Sequence, residues 1–267
     1  MTAPRPVTVI TGASAGIGAE LARVFARHGH ALVLLARRTE RLETLAAEIA
    51  ASGAPPPLVV TCDLLAPGAV EQLAQTLQQE GVEPQYLVNN AGFGLVGTAV
   101  RLSRDEQLAM IDLNVRVLTE LSLRFAEIIA RHRGGILNVA SVAAFVPGPG
   151  MAVYYASKAY VLSFSEALSA ELKPFGVRVT ALCPGPVATE FAARAGIKGN
   201  IAPGLMSVPA EIVAADGYRA LMAGRRRAIP GLVMKAVVFV MSLVPNAVLL
   251  GIVGARQARR RGRQNLD

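Results

Sequence analysis

The chain has 267 residues, 52% of them apolar, which suits one domain with a single sizeable core. Its net charge of +8 points to a nucleic-acid partner only until it is located: residues 1–224 hold eighteen basic and eighteen acidic side chains, whereas 225–267 hold nine basic ones against Asp267 alone. The body thus carries no reason to invoke DNA or RNA, and Cys62 and Cys183 are too few for a disulfide framework and share no metal-ligand spacing with the three histidines, so both read as core residues and no metal is expected.

No apolar leader core precedes the first strand-like run, "VTVIT" (7–11), so a cytoplasmic protein is expected. Further short apolar runs follow at 31–36, 58–62, 86–90, 135–141 and 177–183, with helical i, i+3, i+4 spacing between them, as in 17–28 and 42–51. Strands that are apolar throughout and alternate with helices predict a parallel sheet covered on both faces, a doubly wound α/β fold of about seven strands. Two long helices, near 104–131 and 152–174, flank the fifth strand.

Directly after the first strand, "TGASAGIG" (11–18) leads into a helix. Gly12 permits a tight turn, Gly16 lets backbone approach a pyrophosphate and Gly18 lets the helix pack close, the arrangement of a dinucleotide site at a helix N-terminus. After the second strand, a site for NAD commonly places an acid on the ribose hydroxyls; here the chain reads "ALVLLARR", with Ala36 at that place and Arg37 and Arg38 behind it. Positive charge there favours NADP(H) over NAD(H), although both arginines also suit a solvated helix start. Asp63, ending the third strand, is placed either to accept from an adenine amino group or to cap the next helix. In "NNAG" (89–92), Asn89 and Asn90 can tie strand ends together while Ala91 and Gly92 leave room for a cofactor.

Asn114 falls inside the helix at 104–131, an unfavourable place for asparagine, so it either bridges backbone to an ordered water or is merely tolerated. Ser141 ends the fifth strand, where ligands gather in a parallel sheet. Thirteen residues on, "YYASKAY" sets Tyr154 one helical turn from Lys158 on the same face. Tyr155, at i−3 from the lysine, stays open on geometry, whereas Tyr160 points elsewhere. A phenol titrates near pH 10, and an ammonium beside it should lower that value, making an acid–base pair. His28, His30 and His132 sit near helix ends and carry no expected catalytic role.

Over about residues 5–230 these features resemble the short-chain dehydrogenases/reductases: TGxxxGxG at 11–18, NNAG at 89–92, Asn114, Ser141, YxxxK at 154–158 and "PGPVAT" at 184–189. The family's serine-to-tyrosine interval fits Tyr154 and not Tyr155. The resemblance implies hydride transfer between a nicotinamide and a carbonyl or alcohol carbon. Tyr154 would be the proton donor or acceptor, Lys158 would lower its pKa and bind the ribose, Ser141 would orient the carbonyl and Asn114 would hold a proton-relay water. It implies cofactor contacts from Gly12, Ser14, Gly16, Ile17 and Gly18, from Arg37 and Arg38, from Asp63 and Leu64, and from Asn90, Ala91 and Gly92. Pro184, Gly185 and Val187 would line the nicotinamide, with Thr189 near its carboxamide or the phosphates.

After Gly185 the chain is rich in small residues and resembles the family's lid, with Phe191, Ile197, Leu205 and Met206 as its apolar inner face and Phe145 and Val146 adding to the pocket. No pocket arginine or lysine is evident, which favours a hydrophobic ketone, aldehyde or acyl chain over a small anion. Residues 1–231 form the expected Rossmann-like unit and 232–267 an extension, apolar to 254 and basic over 255–264. Lys235, Pro245 and Asn246 break the apolar run, so two short helices fit better than one membrane span. They would close the pocket and pack in a homodimer or homotetramer, or lie on the inner face of a membrane with arginines drawn to anionic lipid. The first reading is an NADP(H)-dependent carbonyl reductase; a membrane-associated reductase of long-chain lipids and a non-catalytic nucleotide sensor are the others.

Overall fold

The computed structural model describes residues 3–197, 207–245 and 250–251. Its strands are β1 (Arg5–Thr11), β2 (Leu32–Ala36), β3 (Leu58–Thr61), β4 (Val82–Asn89), β5 (Gly135–Val139), β6 (Arg178–Leu182) and β7 (Arg227–Ala228). They form one parallel sheet in the order β3-β2-β1-β4-β5-β6-β7, the doubly wound arrangement expected from the alternation of apolar runs. Successive strand side chains face opposite layers. Ile10, Leu34, Val88 and Leu137 pack against α1 (Gly16–Arg27), α2 (Thr39–Ala51) and α8 (Ala210–Met222). Val9, Val33, Leu87 and Ile136 pack against α3 (Ala69–Gln79), α5 (Leu118–Arg131) and α6 (Ala152–Leu172).

Several boundaries differ from the sequence reading, each for a local reason. β4 starts four residues early and includes Pro84, because the pairing with β1 shifts register there: Val7 pairs with Pro84 but Thr8 with Tyr86. A bulge is where a strand tolerates a residue that cannot donate. The last residues expected in β5 and β6 leave the sheet, which puts Ser141 beyond the strand end. The run 104–131 is continuous but not uniform, since α4 (Arg104–Ile111) passes through a π-helical turn (Asp112–Val117) into α5. Asn114 occupies that turn, and π turns of this kind frequently mark functional sites. Asp63 does not cap α3; Gly68, at φ 73°, is the capping residue, and the Asp63 carboxylate accepts from the Leu65 N–H at 3.1 Å.

Two further features hold the site end of the sheet rigid. The Thr11 hydroxyl donates to the Val88 carbonyl and accepts from the N–H groups of Asn90 and Ala91, both at 3.0 Å, which joins β1 to β4. Asn89 Nδ2 donates to Ser122 Oγ and to Asn138 Oδ1, and Asn138 Nδ2 donates to Ser165 Oγ, so a buried polar chain links α5, β4, β5 and α6. Beyond β6 lie α7 (Glu190–Arg194), α8 and α9 (Leu232–Leu243). Among the described residues, no helix is long and apolar enough to cross a membrane.

Candidate active site

The strand order reverses between β1 and β4, and a cavity of about 880 Å³ opens at their C-terminal ends. Gly12 and Gly16 line it with positive φ angles of 66° and 56°, which favour glycine. A Cβ on Gly12 would lie 2.9 Å from Asn90 Nδ2, the amide that donates to the carbonyls of Thr11 and Gly12. Gly18 does not face the cavity. A Cβ there would collide with the Gly12 carbonyl and Asn90, so its absence brings α1 against the turn. Ser14, Ile17, Arg37, Arg38, Asp63, Leu64, Asn90, Ala91 and Gly92 continue the lining, and Pro184, Gly185, Val187 and Thr189 close it from β6. This side-chain-free cradle beside an arginine pair fits an NAD(P) dinucleotide.

Tyr154, Lys158 and Ser141 meet where this groove widens. Tyr154 is hydrogen-bonded to the Ser141 side chain. The Lys158 ammonium donates to the Val139 carbonyl at 2.7 Å and lies 5.9 Å from the centroid of the Tyr154 ring. The expected lowering of the phenol pKa by this cation is not found: burial, Ser141 and Tyr155 are what set it. Burial pushes Tyr154 up to about 12 against the opposing pull of the Ser141 bond, and burial brings Lys158 down to about 8. Tyr154 therefore holds its proton at neutral pH. Tyr160 points away, its hydroxyl 2.9 Å from Thr119 Oγ1, whereas Tyr155 lines the cavity with its ring edge-on to Tyr154 at 6.1 Å.

Asn114 lies behind the cavity wall rather than on it, 1% exposed. Its Oδ1 accepts from the Phe93 N–H at 3.1 Å, and its Nδ2 donates to the Phe93 carbonyl at 2.9 Å and to Ser157 Oγ at 3.1 Å. Ser157, unremarked in the sequence, in turn donates to the Tyr154 carbonyl at 2.7 Å. The asparagine thus ties the segment that leaves β4 to the helix that carries the tyrosine.

On the substrate side, Val146, Phe191 and Ile197 line the cavity as expected, but Phe145 does not. It packs instead with Leu118, Val161 and Cys183 in the core. Leu205 and Met206 lie outside the described residues. Met234, Val237 and Met241 of α9 form part of the wall, so the apolar extension does reach the cavity. The expectation of no pocket arginine fails, because Arg194 lines the cavity with its guanidinium 4.4 Å from the centroid of the Phe93 ring. Cys183 is buried in the core, whereas Cys62 stands at the cavity edge. The histidines lie elsewhere: His28 and His30 pack on Tyr218, and His132 pairs with Glu83.

A family model described as short chain dehydrogenase matches residues 6–198. Dehydrogenase/reductase SDR family member 7B of Bos taurus is 36% identical over 197 residues, covering 71% of this chain and 60% of that relative, so the chain spans less than two thirds of the bovine protein. A short-chain dehydrogenase from Sphingobium yanoikuyae, solved in complex with NADPH, aligns with a TM-score of 0.77 at 34% identity, covering 96% of this chain and 95% of that one. A short chain dehydrogenase/reductase from Burkholderia phymatum in complex with NAD gives a TM-score of 0.77 at 27% identity, covering 89% and 93%.

Proposed function

We propose that this chain, which belongs to the short-chain dehydrogenase/reductase family, is an NADP(H)-dependent reductase of hydrophobic ketones or aldehydes. Membership makes it an NAD(P)-dependent oxidoreductase. The observation that carries it is the buried, protonated Tyr154 phenol, hydrogen-bonded to Ser141 and opening on a cavity walled by Met151, Phe191, Met234, Val237 and Met241. Arg37, exposed and at the cavity rim, supports the preference for a 2′-phosphate.

A reduced nicotinamide held in this cradle would supply a hydride to the carbonyl carbon. Ser141 Oγ orients the carbonyl oxygen, and as negative charge gathers on that oxygen the Tyr154 O–H bond breaks and its proton completes the alcohol. Lys158, donating to the Val139 carbonyl, keeps its ammonium in the same cavity as the phenol, and solvent restores the proton. Asn114 acts through Phe93 and Ser157, keeping the tyrosine's helix in place.

Burial argues for an apolar substrate, and α9 extends that argument outward. Its inner face carries Met234 and Val238, while Leu232, Phe239 and Leu243 on the outside are 82%, 65% and 69% exposed. In sequence the helix is followed by five arginines within 255–264. An anionic lipid surface accepts both an apolar helix face and the basic charge that follows it in sequence. On this reading α9 makes peripheral contact with an anionic membrane surface.

With NADPH and a series of ketones of increasing chain length, Tyr154→Phe should lower kcat about 10³-fold with NADPH affinity retained, while Tyr155→Phe should be mild. The exchange of these two outcomes would refute the assignment of the proton donor. In the same assay Arg37→Glu should invert the NADPH-to-NADH ratio of kcat/KM, and an unchanged ratio would remove its role. Phe239→Ser/Leu243→Ser should abolish co-flotation of the protein with anionic vesicles. No flotation by the parent protein, together with a dimer that dissociates in the double variant, would assign the face to a second copy instead.

A further inference from the structure

Helix α7 is five residues long and touches both parts of the cavity. Its Phe191 ring lies 5.4 Å from that of Tyr154. Its Glu190 reaches across the groove to the start of α2, where Oε2 pairs with Arg38 Nη1 at 2.8 Å and Oε1 pairs with Arg41. Arg38 also donates through Nε and Nη2 to Ser14 Oγ, at 3.3 and 3.1 Å, so one guanidinium joins α7 to the glycine turn. Arg37 stands beside it, and Arg194, one turn along α7, has its pKa lowered first by burial and then by the charges of Arg37 and Arg38. Among the described residues, the acidic side chains lining this cavity are Asp63 and Glu190. Four guanidinium groups therefore share this region with Glu190 as the carboxylate that pairs directly with two of them.

The Glu190 pairs are weak structural ties. Their side chains are about half exposed, 46% for Arg38 and 51% for both Arg41 and Glu190, and pairs so exposed to solvent contribute little to stability. They are also readily exchanged. A phosphate monoester brings nearly two negative charges and three acceptor oxygens to the same forked donors, so it outcompetes one carboxylate.

We infer that Glu190 is an internal counter-ion which holds Arg38 and Arg41 until a cofactor 2′-phosphate takes them, and which thereby sets how strongly the protein separates NADP(H) from NAD(H). The inference deepens the proposed function and rests on its placing of the adenosine ribose beside Arg37 and Arg38. It adds Arg41 to the phosphate site and makes Glu190 a positioning residue rather than a catalytic one. It also has a consequence for the other end of α7: exchange of Glu190 for phosphate releases the tether on the helix whose Phe191 packs on Tyr154. A 2′-phosphate is then felt at the substrate pocket, while a cofactor without one leaves the tether closed.

The adenosine fragments 5′-AMP and adenosine 2′,5′-bisphosphate differ by the 2′-phosphate alone and need no turnover. Calorimetric affinities for both should show the preference for the bisphosphate rising about five-fold in Glu190→Gln at low salt, the size expected for removing one unit charge a few ångströms from the phosphate in a solvent-screened setting. The gain should shrink at high salt. In the parent protein the bisphosphate should speed amide hydrogen exchange across 190–197, and neither 5′-AMP nor inorganic phosphate at the same concentration should do so. A preference that stays the same or falls in Glu190→Gln overturns the inference, as does slower or unchanged exchange with the bisphosphate, or equal release by inorganic phosphate. A parent protein that binds 5′-AMP more tightly than the bisphosphate would refute the NADP(H) preference separately, and the change on Glu190→Gln would still decide the role of Glu190.

Discussion

Because the chain winds one way from β1 through β3 and the other way from β4 through β7, the segments leaving β1 and β4 diverge to opposite faces and neither fills the space between them. That crevice is the cavity. Everything placed in it depends on the two strand ends staying at one separation, which Thr11 and Asn90 maintain through hydrogen bonds across the gap. The buried Asn89–Asn138 pair continues the tie to β5, so Ser141 and the base of α6 are referred to the same frame as the glycine turn. An all-parallel sheet buried on both faces supplies the rigidity, and its strand ends supply the opening.

Within that frame, desolvation decides the protonation of the reacting groups. A buried phenol and a buried ammonium are both driven towards neutrality, so Tyr154 is held as the acid while Lys158 becomes easier to deprotonate than a surface lysine. The phenol is therefore held in its protonated form. The proposed apolar substrate would complete the same logic, since it would keep water from the phenol. The arginines around Glu190 at the other end of the cavity are half exposed, so charge there can be exchanged, whereas charge at Tyr154 is fixed by burial.

Features written in local spacing were legible in the sequence. The strand runs, the strand–turn–helix glycines and the one-turn step from Tyr154 to Lys158 are short-range patterns, and each is present in the structure, with the ends of β4, β5 and β6 shifted. The choice between Tyr154 and Tyr155 needed the family interval to Ser141, since helical geometry left both on or near one face. Contacts between distant segments left no such mark. Glu190 meets Arg38 and Arg41 across 152 and 149 residues, and nothing in the spacing of either segment announces the other. The same holds for Asn114, whose awkwardness inside a helix was visible but whose partners, Phe93 and Ser157, were not. Phe145 was misplaced because an apolar side chain beside a pocket and one in the core read alike, and the influence of Lys158 was overestimated because burial has no expression in linear order.

The account stands on the phenol being kept neutral by its surroundings. Selective labelling of tyrosine with ¹³C at Cζ, with Tyr154→Phe to assign the signal, reports that ionisation directly as pH is raised. The Tyr154 resonance should remain that of a protonated phenol throughout the range in which an unperturbed tyrosine titrates, consistent with a value pushed up to about 12. A resonance already in the phenolate position near neutral pH would show that the lysine, not burial, governs the pair, and would contradict the assignment of Tyr154 as a standing proton donor.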